Sequence, residues 1–189
     1  MKDVIIEICC GSAADVYSAA NAGAHRVELN SALYLGGLTP SLGQLRLAKK
    51  AGIPIMAMIR PREGGFCYSD TEIDTMLEDI RIFRKEGVQG FVFGVLTADG
   101  RVDRDANALL IKGCGDCEKV FHRAIDVVPD WSEALDILID LGFNRVLTSG
   151  QAENALKGIS TIKEMKDYAD GRIEILPGGG VRPENALDF

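Results

Sequence analysis

The sequence predicts an α/β fold in which parallel strands and helices alternate and the strands curl into a barrel of the TIM (β/α)8 type. Two observations carry this prediction: a recurring order of helical sequence, glycine and short β-rich run, and a polar residue near the end of almost every such run. Copies of the repeat lie roughly 30 residues apart, the length of one βα unit. Each glycine suits the left-handed backbone conformation that ends a helix.

Seven strands are expected along the chain. In order they are Val4–Cys9, the runs after Gly23, Gly52 and Gly87, the run 120–125, and the runs after Gly142 and Gly171. Apolar residues at helical spacing separate the strands, as in the stripe Ile73, Met76, Leu77, Ile80 and Phe83. Because strands alternate with helices, right-handed crossovers and a parallel sheet follow.

An open doubly wound sheet fits this alternation too, and the polar strand ends decide in favour of the barrel. The residues predicted at carboxyl ends of strands are Glu7, Glu28, Arg60, His122, Thr148 and Ser149. In a barrel these ends converge on one mouth, whereas an open sheet spreads them along an edge. We expect residues 1–189 to form a single barrel domain that lacks the eighth βα unit, because the sequence stops inside the seventh helix.

Charge and composition narrow the possible partners. A net charge of −7 argues against nucleic acid, whose binding depends on cationic side chains that neutralise phosphates. No apolar run is long enough to span a bilayer, and Glu7 interrupts the opening apolar run, so neither a membrane partner nor a secretory leader is expected. Five cysteines make an odd count that suits reduced thiols, which predicts a cytoplasmic protein.

Carboxylates and one histidine form the first group of candidate site residues. Glu7 and Glu28 lie on neighbouring strands, where they either hold a substrate or metal or serve as structural partners of Arg60. His122 lies at the predicted mouth, where an imidazole moves a proton or binds a metal, and Asp126 is close enough in sequence to orient it. We therefore predict Glu7, Glu28, His122 and Asp126 as catalytic.

Arginines and glycines form a second group, suited to an anion. Arg60 and Arg62 follow the third strand, and a guanidinium offers a planar fork to carboxylate or phosphate. Glycine-rich loops after late barrel strands let backbone N–H groups approach an anion, although three glycines alone also suit a tight turn. The predicted anion-binding residues are Arg60, Arg62, Arg123, Thr148, Ser149, Gly178, Gly179 and Gly180.

The cysteines give weaker signals. Cys9 and Cys10 are neighbours in a strand, so their side chains point to opposite faces and do not easily hold one ion together. Cys114 and Cys117 have the CxxC spacing that suits a soft metal or a redox pair. That pair precedes the fifth strand, at the end away from the mouth, and we interpret it as incidental.

Several segments together resemble the CutC copper-homeostasis family. They are 7–10 (EICC), 26–29 (RVEL), 36–43 (GGLTPSLG), 58–62 (MIRPR), 66–70 (FCYSD), 121–124 (FHRA), 145–150 (RVLTSG) and 177–180 (PGGG). The resemblance covers essentially the whole chain. It implies a cytoplasmic TIM barrel, often a homo-oligomer, associated with copper tolerance and proposed to bind Cu(I), with Cys9 and Cys10 as candidate ligands. Family members commonly carry a cysteine where this chain has Asn30.

Three functional hypotheses remain open from the sequence. The first is a copper-binding homeostasis protein that uses thiolate ligands. The second is an enzyme acting on a small anionic substrate, with Arg60 and Arg62 as clamps and His122 as general acid or base. The third is a truncated form without activity. The ionic groups predicted at the mouth suit the second hypothesis better than the first, because Cu(I) prefers soft ligands.

Overall fold

A computed structural model describes residues 4–189, in which seven strands alternate with six α-helices. The strands are β1 (Glu7–Cys10), β2 (Arg26–Leu29), β3 (Ile55–Met58), β4 (Gly90–Phe93), β5 (Glu118–Phe121), β6 (Arg145–Thr148) and β7 (Glu174–Pro177). The helices are α1 (Ala13–Asn21), α2 (Leu42–Ala48), α3 (Asp70–Glu86), α4 (Arg104–Cys114), α5 (Trp131–Leu141) and α6 (Ile159–Ala169). No helix among these residues has the length and apolar character needed to cross a membrane.

The residues group into two compact units. The first contains the chain up to Gly65 with Ser69–Phe93 and Lys112–Glu118, and the second contains Phe66–Tyr68, Gly94–Ile111 and Lys119–Phe189. In the first unit β1 pairs with β2, β2 with β3, and β3 with β4, all in parallel. In the second unit β5 pairs with β6, and β6 with β7, again in parallel. The predicted parallel α/β alternation is confirmed.

Helix α3 in the first unit follows the predicted capping chemistry. Ser69 and Glu72 form a capping box at its start, in which each side chain satisfies a backbone N–H of the other. Gly87 ends the helix with φ of +78°, a left-handed conformation that glycine adopts without strain. Most of the predicted apolar stripe is buried, namely Ile73, Met76, Ile80 and Phe83.

In the second unit a buried asparagine fixes the segment that follows β4. The Asn107 side chain, on α4, accepts a hydrogen bond from the N–H of Val95 at 3.2 Å and donates to its carbonyl at 2.8 Å. Asp130 caps the start of α5, and Gly142 ends that helix with φ of +81°. These contacts satisfy backbone groups that burial would otherwise leave unpaired.

The structure corrects two sequence-based expectations. Strand β1 begins at Glu7, which pairs in register with Arg26, whereas the sequence predicted a strand from Val4. Glu7 is therefore at the amino end of its strand and not at the carboxyl end. After β7 the chain forms only a 3₁₀ turn, Ala186–Asp188, where a seventh helix was expected.

Strand β4 offers a test of packing within the first unit. A Cβ added at Gly90 would lie 2.5 Å from the sulfur of Met56 and 2.9 Å from the carbonyl oxygen of Glu118. Gly90→Ala is expected to lower the free energy of unfolding by about 1–3 kcal/mol, since overpacking displaces neighbours. Gly65→Ala is the matched control, because a Cβ there meets nothing within 4 Å. Urea denaturation of both variants measures the difference, and equal stabilities would contradict this packing.

Candidate functional site

A buried carboxylate on β2 is the centre of a polar cluster in the first unit. Glu28 is 5% exposed, and its Oε1 accepts a hydrogen bond from Asn30 Nδ2 at 2.9 Å and from the Cys9 thiol at 3.6 Å. Cys9 and Glu28 meet because they are register partners of β1 and β2, while Asn30 shares the strand parity of Glu28. The strand register thus brings a thiol, an amide and a carboxyl group together.

Burial changes the protonation of this cluster. Desolvation raises the pKa of Glu28 from 4.5 to about 7, and the charge of Glu7 adds to the increase, although the hydrogen bonds from Asn30 and Cys9 oppose it. Desolvation, followed by the charge of Glu28, raises the pKa of Cys9 well above its usual range. Near neutral pH the Cys9 thiol therefore keeps its proton, while the Glu28 carboxyl exchanges its own.

The adjacent thiols Cys9 and Cys10 do not fit a Cu(I) site. Cys10 is fully buried and its thiol donates to the carbonyl of Ile8 at 3.5 Å, while Cys9 faces Glu28 on the other side of β1. Burial also raises the pKa of Cys10 to about 11. Among residues 4–189 no three His, Cys, Asp or Glu side chains are placed to share a metal ion. Since one Cu(I) ion needs its soft ligands on one side, two thiols on opposite faces of the strand make a poor donor set.

Asn30 is held tightly against the next loop. It is 1% exposed, and its Oδ1 has no hydrogen-bond partner among the described residues. A Cβ added at Gly37 would lie 2.3 Å from that oxygen, and Gly37 has φ of +86°. Position 37 is therefore restricted to glycine by both space and backbone conformation.

The guanidinium of Arg60 is used to hold loops together. Arg60 is 6% exposed; its Nη1 donates to the carbonyls of Leu35 at 2.9 Å and Gly37 at 3.1 Å, and its Nη2 donates to that of Gly64 at 2.8 Å. Donation from a charged group to backbone carbonyls stabilises a buried cation. These contacts weaken the prediction that Arg60 clamps a ligand.

Two other predicted site residues form ion pairs within the first unit. Glu7 accepts from Arg26 across β1 and β2, and both side chains are largely buried. Arg62 is paired with Glu72 of α3 and also donates to the carbonyl of Gly65 at 3.0 Å. Both residues have structural partners. For Glu7 the structural role that the sequence left open therefore applies, but its partner is Arg26 and not Arg60.

In the second unit, Asp126 is the acceptor that organises the loop after β6. Its buried carboxylate accepts from the Thr148 hydroxyl, from the Ser149 N–H and hydroxyl, and from the Gln151 N–H. It also accepts from Arg123 Nε at 2.8 Å. The predicted residues Thr148 and Ser149 are thereby fixed beside Arg123, whereas no motif or pattern pointed to Gln151.

The glycines after β7 lie beside the same arginine. Arg123 Nη2 donates to the Ser149 hydroxyl at 2.7 Å, and a Cβ added at Gly179 would lie 3.1 Å from Arg123 Nη1. Gly178 donates its N–H to the carbonyl of Thr148 at 2.8 Å, which ties this loop to the end of β6. The structure thus brings the predicted residues Arg123, Thr148, Ser149 and Gly178–Gly180 to one place.

His122 follows β5 and is 3% exposed. Its Nδ1 accepts from the N–H of Ala124 at 3.3 Å, so the proton of the neutral ring resides on Nε2. The ring packs near Phe66, with centroids 4.8 Å apart. The expectation that Asp126 orients His122 is wrong, because the carboxylate of Asp126 is occupied by the donors of the β6 loop and the imidazole by a backbone amide.

Comparison with known proteins gives consistent matches. The model of the CutC family matches residues 4–189. A CutC family protein of Treponema denticola is 56% identical over 98% of this chain and 76% of its own length. The human copper homeostasis protein cutC homolog is 45% identical over 96% of this chain and 67% of its own length.

A solved structure agrees with these relatives. The crystal structure of CutC from Streptococcus agalactiae matches with a TM-score of 0.93 and 36% identity, covering 98% of this chain and 92% of that one. This match confirms the TIM-type α/β fold class predicted from the sequence.

The protonation of Glu28 leads to a pH-dependent stability. The folded protein holds this proton up to about pH 7, whereas the unfolded chain releases it near pH 4.5, so stability declines as pH rises through that window. The shift corresponds to about 3 kcal/mol at most. Glu28→Gln is expected to flatten the decline, measured as the free energy of unfolding between pH 4 and 8 in steps of about one unit.

The exposed Glu164→Gln of α6 is the matched control and keeps the wild-type pH profile. A Glu28→Gln variant whose stability declines with pH as steeply as that of the wild type would contradict the buried, protonated state.

Proposed function

The chain belongs to the CutC family, and we propose that its second unit carries an enzyme-type site for a small molecule bearing phosphate or carboxylate. The observation that supports this proposal is the guanidinium of Arg123, which is held by Asp126 and Ser149 next to Gly179 while remaining 41% exposed. A fixed, accessible guanidinium beside a glycine loop presents donors in a preset geometry to an anion.

Donors remain available at this place. Arg123 uses Nε for Asp126 and Nη2 for Ser149, whereas Nη1 has no acceptor among the described residues. The N–H groups of Gly179 and Gly180 likewise donate to no described residue, and both glycines have positive φ. Backbone amides and a guanidinium in one loop region are the kind of donors that bind an anion after late strands of TIM-type folds.

His122 supplies a hydrogen-bond donor next to Arg123 in the chain. Because Nδ1 accepts from a backbone amide, the neutral imidazole carries its proton on Nε2, from which it donates a hydrogen bond to a bound ligand in this proposal. Asp126 acts in this proposal as a positioning residue that fixes Arg123 and Ser149. The proposed chemistry is polarisation of the bound anionic molecule by hydrogen bonds from these side chains.

Copper binding is the second candidate function, since relatives are named for copper homeostasis. The observation that favours it is that no disulfide joins any of the five cysteines, Cys9, Cys10, Cys67, Cys114 and Cys117, within the described residues. Cysteines without disulfides also support the cytoplasm as the location that we propose. The adjacent pair Cys9 and Cys10 fits Cu(I) poorly, as described above, and the assembly of identical copies stays a prediction.

Anion binding can be measured directly by isothermal titration calorimetry with inorganic phosphate and with malonate. Arg123→Gln is expected to weaken binding about tenfold or more, because a hydrogen bond from a charged donor contributes about 1.5–3 kcal/mol. Arg104→Gln is the matched control, since that exposed arginine pairs only with Asp140 among the described residues.

Two results would count against the proposal. One is equal affinity in the wild type and Arg123→Gln, and the other is no binding of either anion by the wild type. Asp126→Asn should weaken binding as well, because it releases Arg123 from its fixed position.

A further inference from the structure

A groove of basic side chains lies between α3 and the end of α4 in the first unit. Its volume is about 470 Å³, within the range of small-molecule sites in proteins. Four of its six lining residues are cationic and none is acidic. The lining residues are Leu77, Arg81, Arg84 and Lys85 of α3 and Lys112 and Gly113 of α4.

The two helices pack closely at Gly113, and this contact fixes one of the cations. A Cβ added at Gly113 would lie 3.4 Å from Leu77 Cδ2, so the end of α4 rests directly on α3. Arg84 Nη1 donates to the carbonyl of Gly113 at 3.4 Å, and a Cβ added at Gly115 would lie 2.5 Å from Arg84 Nη2. The Nε and Nη2 of Arg84 donate to no described residue, so a guanidinium held in place keeps donors for a ligand.

Two glutamates of α3 are close to these cations in sequence, and both are engaged by arginines. Arg81 Nε donates to Glu78 at 2.6 Å, one turn earlier on the same helix. Glu86 accepts from Arg46 Nη2 at 2.7 Å. Only Arg81 among the lining cations is therefore paired with one of these carboxylates.

The other three lining cations have no such partner. Lys85 and Lys112 are exposed, and neither they nor Arg84 form an ion pair within residues 4–189. The exposed Asp116, in the turn after α4, does not pair with them either. In a chain of net charge −7, three unpaired cations around one cavity make a local positive potential that attracts an anion.

We propose that this groove binds a small molecule that carries several phosphate groups. Lysines supply compact point charges and Arg84 a planar set of donors, and both suit phosphate oxygens. Several phosphates match three unpaired cations better than a single carboxylate does. No aromatic ring lines the groove to stack a nucleobase, so the ligand is recognised by its phosphates.

The shape of the site favours a compact ligand over an acidic segment of another protein. The cations come from two helices and surround one concavity, where charge of a single sign is focused. An extended acidic segment instead needs cations spaced along its length. The proposal does not depend on the anion site around Arg123, which belongs to the second unit.

The test is isothermal titration calorimetry with inorganic tripolyphosphate at low salt and without divalent cations. Wild type and Arg123→Gln are both titrated, because the Arg123→Gln variant separates binding at the groove from binding in the second unit. The Arg123→Gln variant is expected to keep one tripolyphosphate. Adding Lys85→Gln and Lys112→Gln to it should weaken that binding about tenfold or more, since two charges that contact the ligand are lost.

The matched control adds Lys163→Gln and Lys166→Gln instead, which removes the same two charges from exposed positions of α6 and should leave the affinity unchanged. The proposal is overturned if Arg123→Gln binds no tripolyphosphate, if the groove variant binds it as tightly as its parent, or if the control weakens binding equally. It is also overturned if a hexa-aspartate peptide binds the groove more tightly than tripolyphosphate, because the groove would then accept an acidic protein segment.

Discussion

The polar contacts of the loop after β6 in the second unit depend on the carboxylate of Asp126, because a buried negative charge is stable only when hydrogen-bond donors surround it. Backbone amides, hydroxyls and one guanidinium converge on it, and in doing so they set the path of the loop after β6 and the position of Arg123. Ser149 is then shared between Asp126 and Arg123, which fixes the arginine twice. The glycines after β7 therefore lie beside a guanidinium whose position is already fixed by these hydrogen bonds.

Local chemistry explains what could be predicted from the sequence. The glycines at 52, 87 and 142 do end helices with positive φ, since that signal resides in single residues and their immediate neighbours. Partners across the fold were harder to predict. Asp126 was expected beside His122 because they are close in sequence, yet it accepts from Arg123 and the β6 loop. Such pairings depend on side-chain rotamers and on the path of each loop, and neither of these produces a periodic pattern in the sequence.

The predicted start of β1 was wrong for a related reason. An apolar run predicts extended chain but not the residue at which pairing begins, and here pairing begins where Glu7 meets Arg26. The same register brings Cys9 to Glu28, so a one-residue change in pairing would have separated the thiol from the carboxyl group. The parity of Asn30 with Glu28 places both side chains on one face.

The close approach of Gly37 to Asn30 has an evolutionary consequence. While asparagine occupies position 30, any side chain at 37 collides with its amide oxygen, and the positive φ there adds a second, independent barrier. Substitutions in the two places are thus epistatic: a smaller residue at 30 removes the collision but leaves the conformational barrier. A substitution at position 37 is therefore less unfavourable after Asn30 has been replaced by a smaller residue than before it.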